Sequence, residues 1–283
     1  MSVVVVHGGA GTWAQADWPG ATAAVAAAAR AALGVIREGG SALDAAVAAV
    51  VILEDDPRFN AGTGAVPTED GDLEHDAAVM DGATGRAGAV AAVRGIANPV
   101  RLARAVYEDG RHVLLAGRGA ARFAEQVGLG GPSSSRHGAP GHPAHVATQD
   151  TVGAVVCLDG RLAAATSTGG IRGQRAGRVG DAPLIGAGTW ADADCAVSAT
   201  GHGERLIEAA AGHEVSARVR LTSASLQESV DAVLAGIRGN AGLIAVDARG
   251  RVAIACNTAA MPRAVATERE VRAATGRDEP LRP

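Results

Sequence analysis

Three threonines stand where an apolar run meets a loop: Thr151, Thr168 and Thr200. Two of them are followed by glycines, in Thr168-Gly169-Gly170 and Thr200-Gly201-His202-Gly203. A buried threonine needs one hydrogen-bond partner and no glycines. Glycine beside it lets a ligand approach the backbone and offers free N–H donors. Thr151 heads Val152–Leu158, directly after a polar stretch ending Thr148-Gln149-Asp150. Strand propensity alone accounts for a threonine there. The chemical alternative is that Thr151 becomes an N-terminus, its hydroxyl the nucleophile and its own α-amine the base. Arg178 and Asp181 lie in the Gly-rich stretch 177–181. They are either a surface ion pair or a reader of a free amino acid, guanidinium to carboxylate and carboxylate to ammonium. No Ser-His-Asp or Cys-His spacing is evident. His137, His142 and His145 cluster in the polar stretch and read as solvated. Gly8, Gly9 and Gly11 follow a strand but lack the spacing and lysine of a phosphate loop.

Positioning these groups requires elements from both halves of the chain. Val3–Val6 reads as a buried strand and Thr22–Glu38 as a helix stopped by Gly39-Gly40. Ser41 and Asp44 match a capping box for a helix from Ala42 to about Leu53. Ala87–Val93 reads as a strand, Asn98 as the cap of a helix with Pro99 at its first position, and Gly119–Val127 as another helix. Residues 128–149, rich in Gly, Pro, Ser and His, carry no periodicity and are expected to move. Asp159-Gly160 joins Val152–Leu158 to Leu162–Thr168 as a hairpin. Arg249-Gly250 similarly joins Leu243–Val246 to Val252–Ala255. Glu204–Ala211 and Ser225–Ile237 read as helices, and the charged tail from Thr267 as frayed. The pattern departs from strict strand–helix alternation, which favours stacked sheets with helices outside.

Composition narrows the class. Of 283 residues, 47% are hydrophobic but only 2% aromatic, so alanine, valine and glycine must build the core. The formal charge is −4, with no basic stripe and no lysine, so no nucleic-acid partner is expected. Cys157, Cys195 and Cys256 lack metal or redox spacing and read as reduced thiols. No signal peptide or uninterrupted membrane span is evident, and a soluble cytoplasmic protein is expected.

Taken in order, several segments resemble one known family. They are His7–Ala10, Phe59–Gly64, Val79–Gly82, Thr151–Val155, Ala165–Gly170, Gly177–Asp181 and Thr200–Glu204. Together they resemble the plant-type L-asparaginases and isoaspartyl peptidases, which are N-terminal-nucleophile hydrolases. The resemblance runs from about Val4 to Met261.

It implies an α+β fold, a four-layer αββα sandwich with antiparallel central sheets, in one domain spanning 1–283. Cleavage between Asp150 and Thr151 would give an α subunit, 1–150, whose linker is 128–150, and a β subunit, 151–283. Thr151 would then hydrolyse the side-chain amide of asparagine and the isopeptide bond of β-aspartyl dipeptides. Thr168 would hydrogen-bond the nucleophile, Asn60 would lie near its amine, and Thr200 with Gly201 N–H would form the oxyanion hole. Arg178, Asp181 and Gly203 would hold the substrate. Catalysis would need no cofactor. A structural sodium ion would sit on backbone carbonyls of Leu53, Glu54, Asp56, Phe59, Ala61 and Thr63. The assembly would be an (αβ)2 homodimer of processed protomers. Asp150 departs from the glycine usual at that position and resembles the glycosylasparaginases, while His202 stands where small or polar residues are common. Two other readings are a glycosylasparaginase and a non-processing binding protein on the same fold.

Overall fold

The computed structural model describes residues 1–130 and 151–281. The expected cleavage linker, Asp150 and the three clustered histidines fall mainly or wholly outside them.

Eight strands form one sheet. Its first strands in chain order are β1 (Ser2–His7), β2 (His75–Asp81), β3 (Arg86–Val93) and β4 (Leu114–Ala116). They are followed by β5 (Val152–Leu158), β6 (Arg161–Thr168), β11 (Ala260–Thr267) and β12 (Val271–Gly276). Their spatial order is β12-β11-β1-β5-β6-β2-β3-β4. The second sheet is β10-β9-β8-β7, built from β7 (Thr189–Ala191), β8 (Cys195–Gly201), β9 (Ala241–Asp247) and β10 (Val252–Cys256). Helices α1 (Trp18–Arg37) and α2 (Ala42–Glu54) pack on β1, β5, β6, β11 and β12 between them, and α3 (Pro99–Asp109) packs on β2 and β3. Helices α6 (Ala211–Leu221) and α7 (Leu226–Gly236) pack on the second sheet, while β5 and β6 face β8 across a separate apolar layer.

The small-residue composition shows in α1 and α2. Six alanines of α1 are buried against α2 and the sheet. The helix from Gln15 to Arg37 is long and apolar enough to cross a membrane by length and composition; its packing against α2, β11 and β12 is that of a core helix. Ser41 and Asp44 form the capping box the sequence indicates.

Four expectations are corrected. The large sheet is mixed, because β3 and β4 are parallel neighbours joined through α3, as a crossover requires. The tail does not fray: β12 pairs along β11 and buries Ala274 and Thr275. Glu204–Ala211 is not one helix. Ala210 is left-handed at φ 46° and separates α5 (Gly203–Glu208) from α6. Asn98 does not cap α3 with its side chain; its Nδ2 donates to Asp55 instead, and buried Glu54 accepts the Val100 N–H.

Candidate active site

The hairpin of β5 and β6 turns on Asp159 and Gly160, both at positive φ, and pairs Val152 with Ser167. The next position outward sets Thr151 beside Thr168. Both are buried at 4% exposure, so the head of this hairpin lies inside the protein rather than at its rim. Thr168 Oγ1 accepts the Gly170 N–H at 3.1 Å, a local turn that the glycines permit.

β8 brings the third threonine. Thr200 Oγ1 accepts the Thr151 N–H at 3.4 Å and the Ala10 N–H at 3.3 Å. Two donated protons fill its acceptor capacity, so its own proton is directed elsewhere. Gly201 closes β8 at φ 128°. Asn60, expected near the nucleophile's amine, makes no hydrogen bond with Thr151 among the described residues. It fixes the glycine turn instead: Nδ2 donates to Gly170 O at 2.7 Å, the Asn60 backbone carbonyl accepts the Gly169 N–H at 2.8 Å, and Oδ1 accepts the Val66 N–H at 3.1 Å.

Arg178 and Asp181 are not a surface ion pair. Asp181 is 3% exposed and its Oδ2 has no hydrogen-bond partner. Burial pushes its carboxyl up to about 7, Asp76 and Glu204 push the same way, and its own backbone amide and Arg178 oppose them. The guanidinium of Arg178 instead takes Glu204, with Nε and Nη2 each 3.0 Å from Oε1. A Cβ on Gly203 would lie 2.8 Å from Arg178 Nη2 and 2.9 Å from Asp181 Oδ1. Glycine there leaves room for the cation and the carboxylate to stand side by side. His202 Nε2 stands 3.6 Å from Glu204, with its ring partly exposed.

Sequence reasoning missed three groups. His7 is fully buried; its Nε2 meets Ser198 Oγ at 2.9 Å, and Ser198 Oγ meets Thr166 Oγ1 at 2.8 Å. Burial lowers the imidazole to about 3, against a smaller opposing influence from the Thr151 backbone, so it is neutral at ordinary pH. Glu204 and Asp76 are the others. His7 and Glu204 lie within the family-like segments, yet only their contacts give them a place.

The expected sodium loop follows α2. Carbonyls of Leu53, Asp56, Phe59 and Ala61 accept N–H groups of Asp56, Phe59, Ala61 and Gly64 at 3.3, 3.2, 2.9 and 3.1 Å. The Leu53 carbonyl also accepts the Asp55 N–H, while those of Asp56, Phe59 and Ala61 each keep a second lone pair. A Cβ on Gly62 would meet Glu54 O at 2.5 Å, so carbonyls crowd the inside of the turn. A neutral, all-backbone donor set fits a monovalent cation. No cluster of three His, Cys, Asp or Glu that could hold a metal occurs among the described residues.

Three buried threonines thus gather at the Thr151 amide, and Asp76, the partner of Thr168 across β2 and β6, ties down the loop that carries Arg178 and Asp181. The comparisons with known proteins give the family. The family model described as asparaginase matches residues 1–137 and 132–275, and the chain belongs to that family. It is 43% identical over 302 residues to a plant-type L-asparaginase of Pyrobaculum calidifontis, covering 96% of this chain and 99% of the relative. It is 40% identical to the Escherichia coli isoaspartyl peptidase, covering 93% and 92%. It is also 40% identical to the human isoaspartyl peptidase/L-asparaginase, covering 94% and 93%.

Proposed function

We propose that this chain is an autoprocessing amidohydrolase that acts on L-asparagine and β-aspartyl dipeptides through Thr151. The observation that carries this reading is the buried meeting of Thr151 with Thr200 and Thr168, within one loop's reach of Arg178 and Asp181. In maturation, the Thr151 hydroxyl attacks the Asp150 carbonyl, and the peptide nitrogen leaves as the new α-amine. Water then hydrolyses the ester, giving chains 1–150 and 151–283. The Asp150 carboxylate is the candidate base for the attack.

In turnover, the freed amine takes the hydroxyl proton as Thr151 Oγ1 attacks the substrate's side-chain carbonyl. An α-amine has a pKa of about 7.7–8.0 in model peptides, so a neutral fraction exists at ordinary pH. Thr200 Oγ1, already accepting two N–H groups, gives its proton to the oxyanion together with Gly201 N–H. The leaving amine takes the proton back. Water hydrolyses the β-aspartyl ester and L-aspartate departs. Arg178 holds the α-carboxylate, Asp181 the α-ammonium, and Gly203 leaves them room. Thr168 orients the nucleophile, and Asn60 acts through the turn that holds Thr168. No cofactor enters any of these steps.

The two apolar layers flanking the large sheet, with helices on the outer faces, support the four-layer sandwich as one domain. An (αβ)2 homodimer, a cytoplasmic location and a structural sodium on the Leu53–Thr63 carbonyls complete the reading. The Asp150-Thr151 pair gives N4-glycosylasparagine a place as second substrate.

The test is kcat/KM for asparagine, β-aspartyl-leucine, N4-glycosylasparagine and α-aspartyl-leucine. The first two should be cleaved, and the α-linked peptide, whose α-carboxyl is tied up, rejected. Arg178→Lys loses the planar fork, which costs about 1.5–3 kcal/mol, or roughly tenfold to a hundredfold in kcat/KM. Efficient cleavage of the α-linked peptide, or an indifferent Arg178→Lys, would show that this pair does not define the substrate. Preference for the glycosylated substrate would favour the second.

A further inference from the structure

Loop 177–181, which presents Arg178 and Asp181, belongs to no strand or helix. Its position is set by the start of β2. Glu74 and Asp76 are two residues apart there and point to the same side. Glu74 Oε2 accepts the Gly177 N–H at 2.7 Å, one residue before Arg178. Asp76 Oδ2 accepts the Gly180 N–H at 2.8 Å, one residue before Asp181. The two amides immediately preceding the two substrate-reading residues are thus each tied to a carboxylate.

The other oxygens of these carboxylates hold the supports still. Glu74 Oε1 accepts Arg94 Nε at 3.0 Å and Nη2 at 2.6 Å. Asp76 Oδ1 accepts the Ala92 N–H at 2.8 Å, where Ala92 takes φ 47° and the β2–β3 register shifts. Asp76 is 3% exposed and makes no salt bridge among the described residues, and burial raises its carboxyl above the ordinary range. A lone buried carboxylate is a costly way to anchor a loop. Its placement accounts for the cost. Asp76 pairs with Thr168 across β2 and β6. A Cβ on Gly180 would lie 3.0 Å from Arg178 Nη1 and 3.6 Å from Asp76 Oδ2, so the guanidinium folds over the residue that Asp76 holds. Glu204 bounds it on the other side.

We propose that Glu74 and Asp76 are positioning residues that fix the reach of Arg178 and Asp181 relative to Thr168, and so set affinity for the α-carboxylate and α-ammonium of the substrate. This rests on the function proposed above. Neither carboxylate touches substrate; both act through loop 177–181.

The experiment uses Asp76→Asn and Glu74→Gln, each nearly isosteric, in the full chain. Three quantities are measured: KM and kcat for asparagine, the inhibition constant of L-aspartate, and the rate at which the Asp150–Thr151 bond is cut. L-aspartate carries both groups the loop reads but no scissile amide. Losing a charge-assisted acceptor should raise KM and the inhibition constant together, by roughly tenfold to a hundredfold for Asp76→Asn. Maturation should proceed at the wild-type rate, since it needs no substrate loop. A purely structural role would lower Tm and leave KM and the aspartate constant of the folded protein unchanged. That result in Asp76→Asn would overturn the proposal. Should Asp76→Asn fail to fold, Glu74→Gln decides by the same two constants. A wild type that hydrolyses none of the substrates overturns the functional reading itself, and this inference with it, before any variant is compared.

Discussion

Asp181 shows most directly how a single residue ties burial to function. Its carboxyl, lifted to about 7 by burial with help from Asp76 and Glu204 and against Arg178, is half protonated near neutral pH. Holding an ammonium requires the ionised form. The binding-competent fraction therefore falls about tenfold for each pH unit below 7. The inhibition constant of L-aspartate, measured from pH 5.5 to 8, should weaken with that slope on the acid side and level off above 7. A flat profile would mean that Asp181 does not meet the ammonium. At this scale the threonines were legible because each stands at an edge of an apolar run, Thr168 and Thr200 with glycines after them. His7, Asp76 and Glu204 were not, since a buried histidine and carboxylates acquire their meaning only from partners distant in sequence. Asn60, expected near the amine, bonds to Gly169, Gly170 and Val66.

Elements hold these residues by close approach. A Cβ on Gly153 would fall 2.0 Å from Ser198 Oγ and 2.5 Å from His7 Nε2, so β5 must carry glycine two residues after Thr151 for β1 and β8 to meet there. Beneath β6, Glu54 ends α2 fully buried, and burial raises its carboxyl to about 8, eased by the Val100 amide that it accepts. The folded state then holds a proton that the unfolded chain, with an ordinary carboxyl near 4.5, releases. Stability is lost as pH rises from about 4.5 to 8. Glu54→Gln removes that term. Its Tm should match wild type near pH 5 and exceed it increasingly toward pH 8; parallel curves would show that Glu54 is ionised in the fold. Hairpins and capped helices were legible because turn and cap chemistry is local. β2, β12 and the break at Ala210 were not. β12 lies in a charged tail and becomes a strand only by adding to β11, and nothing local forces Ala210 left-handed.

Across the whole molecule, segments from both halves of the chain converge on one place. Thr151 stands just ahead of β5, β6 supplies Thr168, β8 supplies Thr200, and the loop after α2 supplies Asn60. The family and its combination of helices with stacked sheets were readable from ordered motifs, because they recur as whole segments. The parallel β3–β4 pair was not, since a three-residue strand after a helix leaves no periodic signal. The central claim is that Thr151 becomes an N-terminus. It is tested most directly by the intact mass of purified wild type and Thr151→Ala after prolonged incubation. The account expects wild type to yield two chains, one ending at Asp150 and one beginning at Thr151, and Thr151→Ala to stay a single inactive chain of 283 residues. Two fragments from Thr151→Ala, or full hydrolase activity from an uncut wild-type chain, would contradict it.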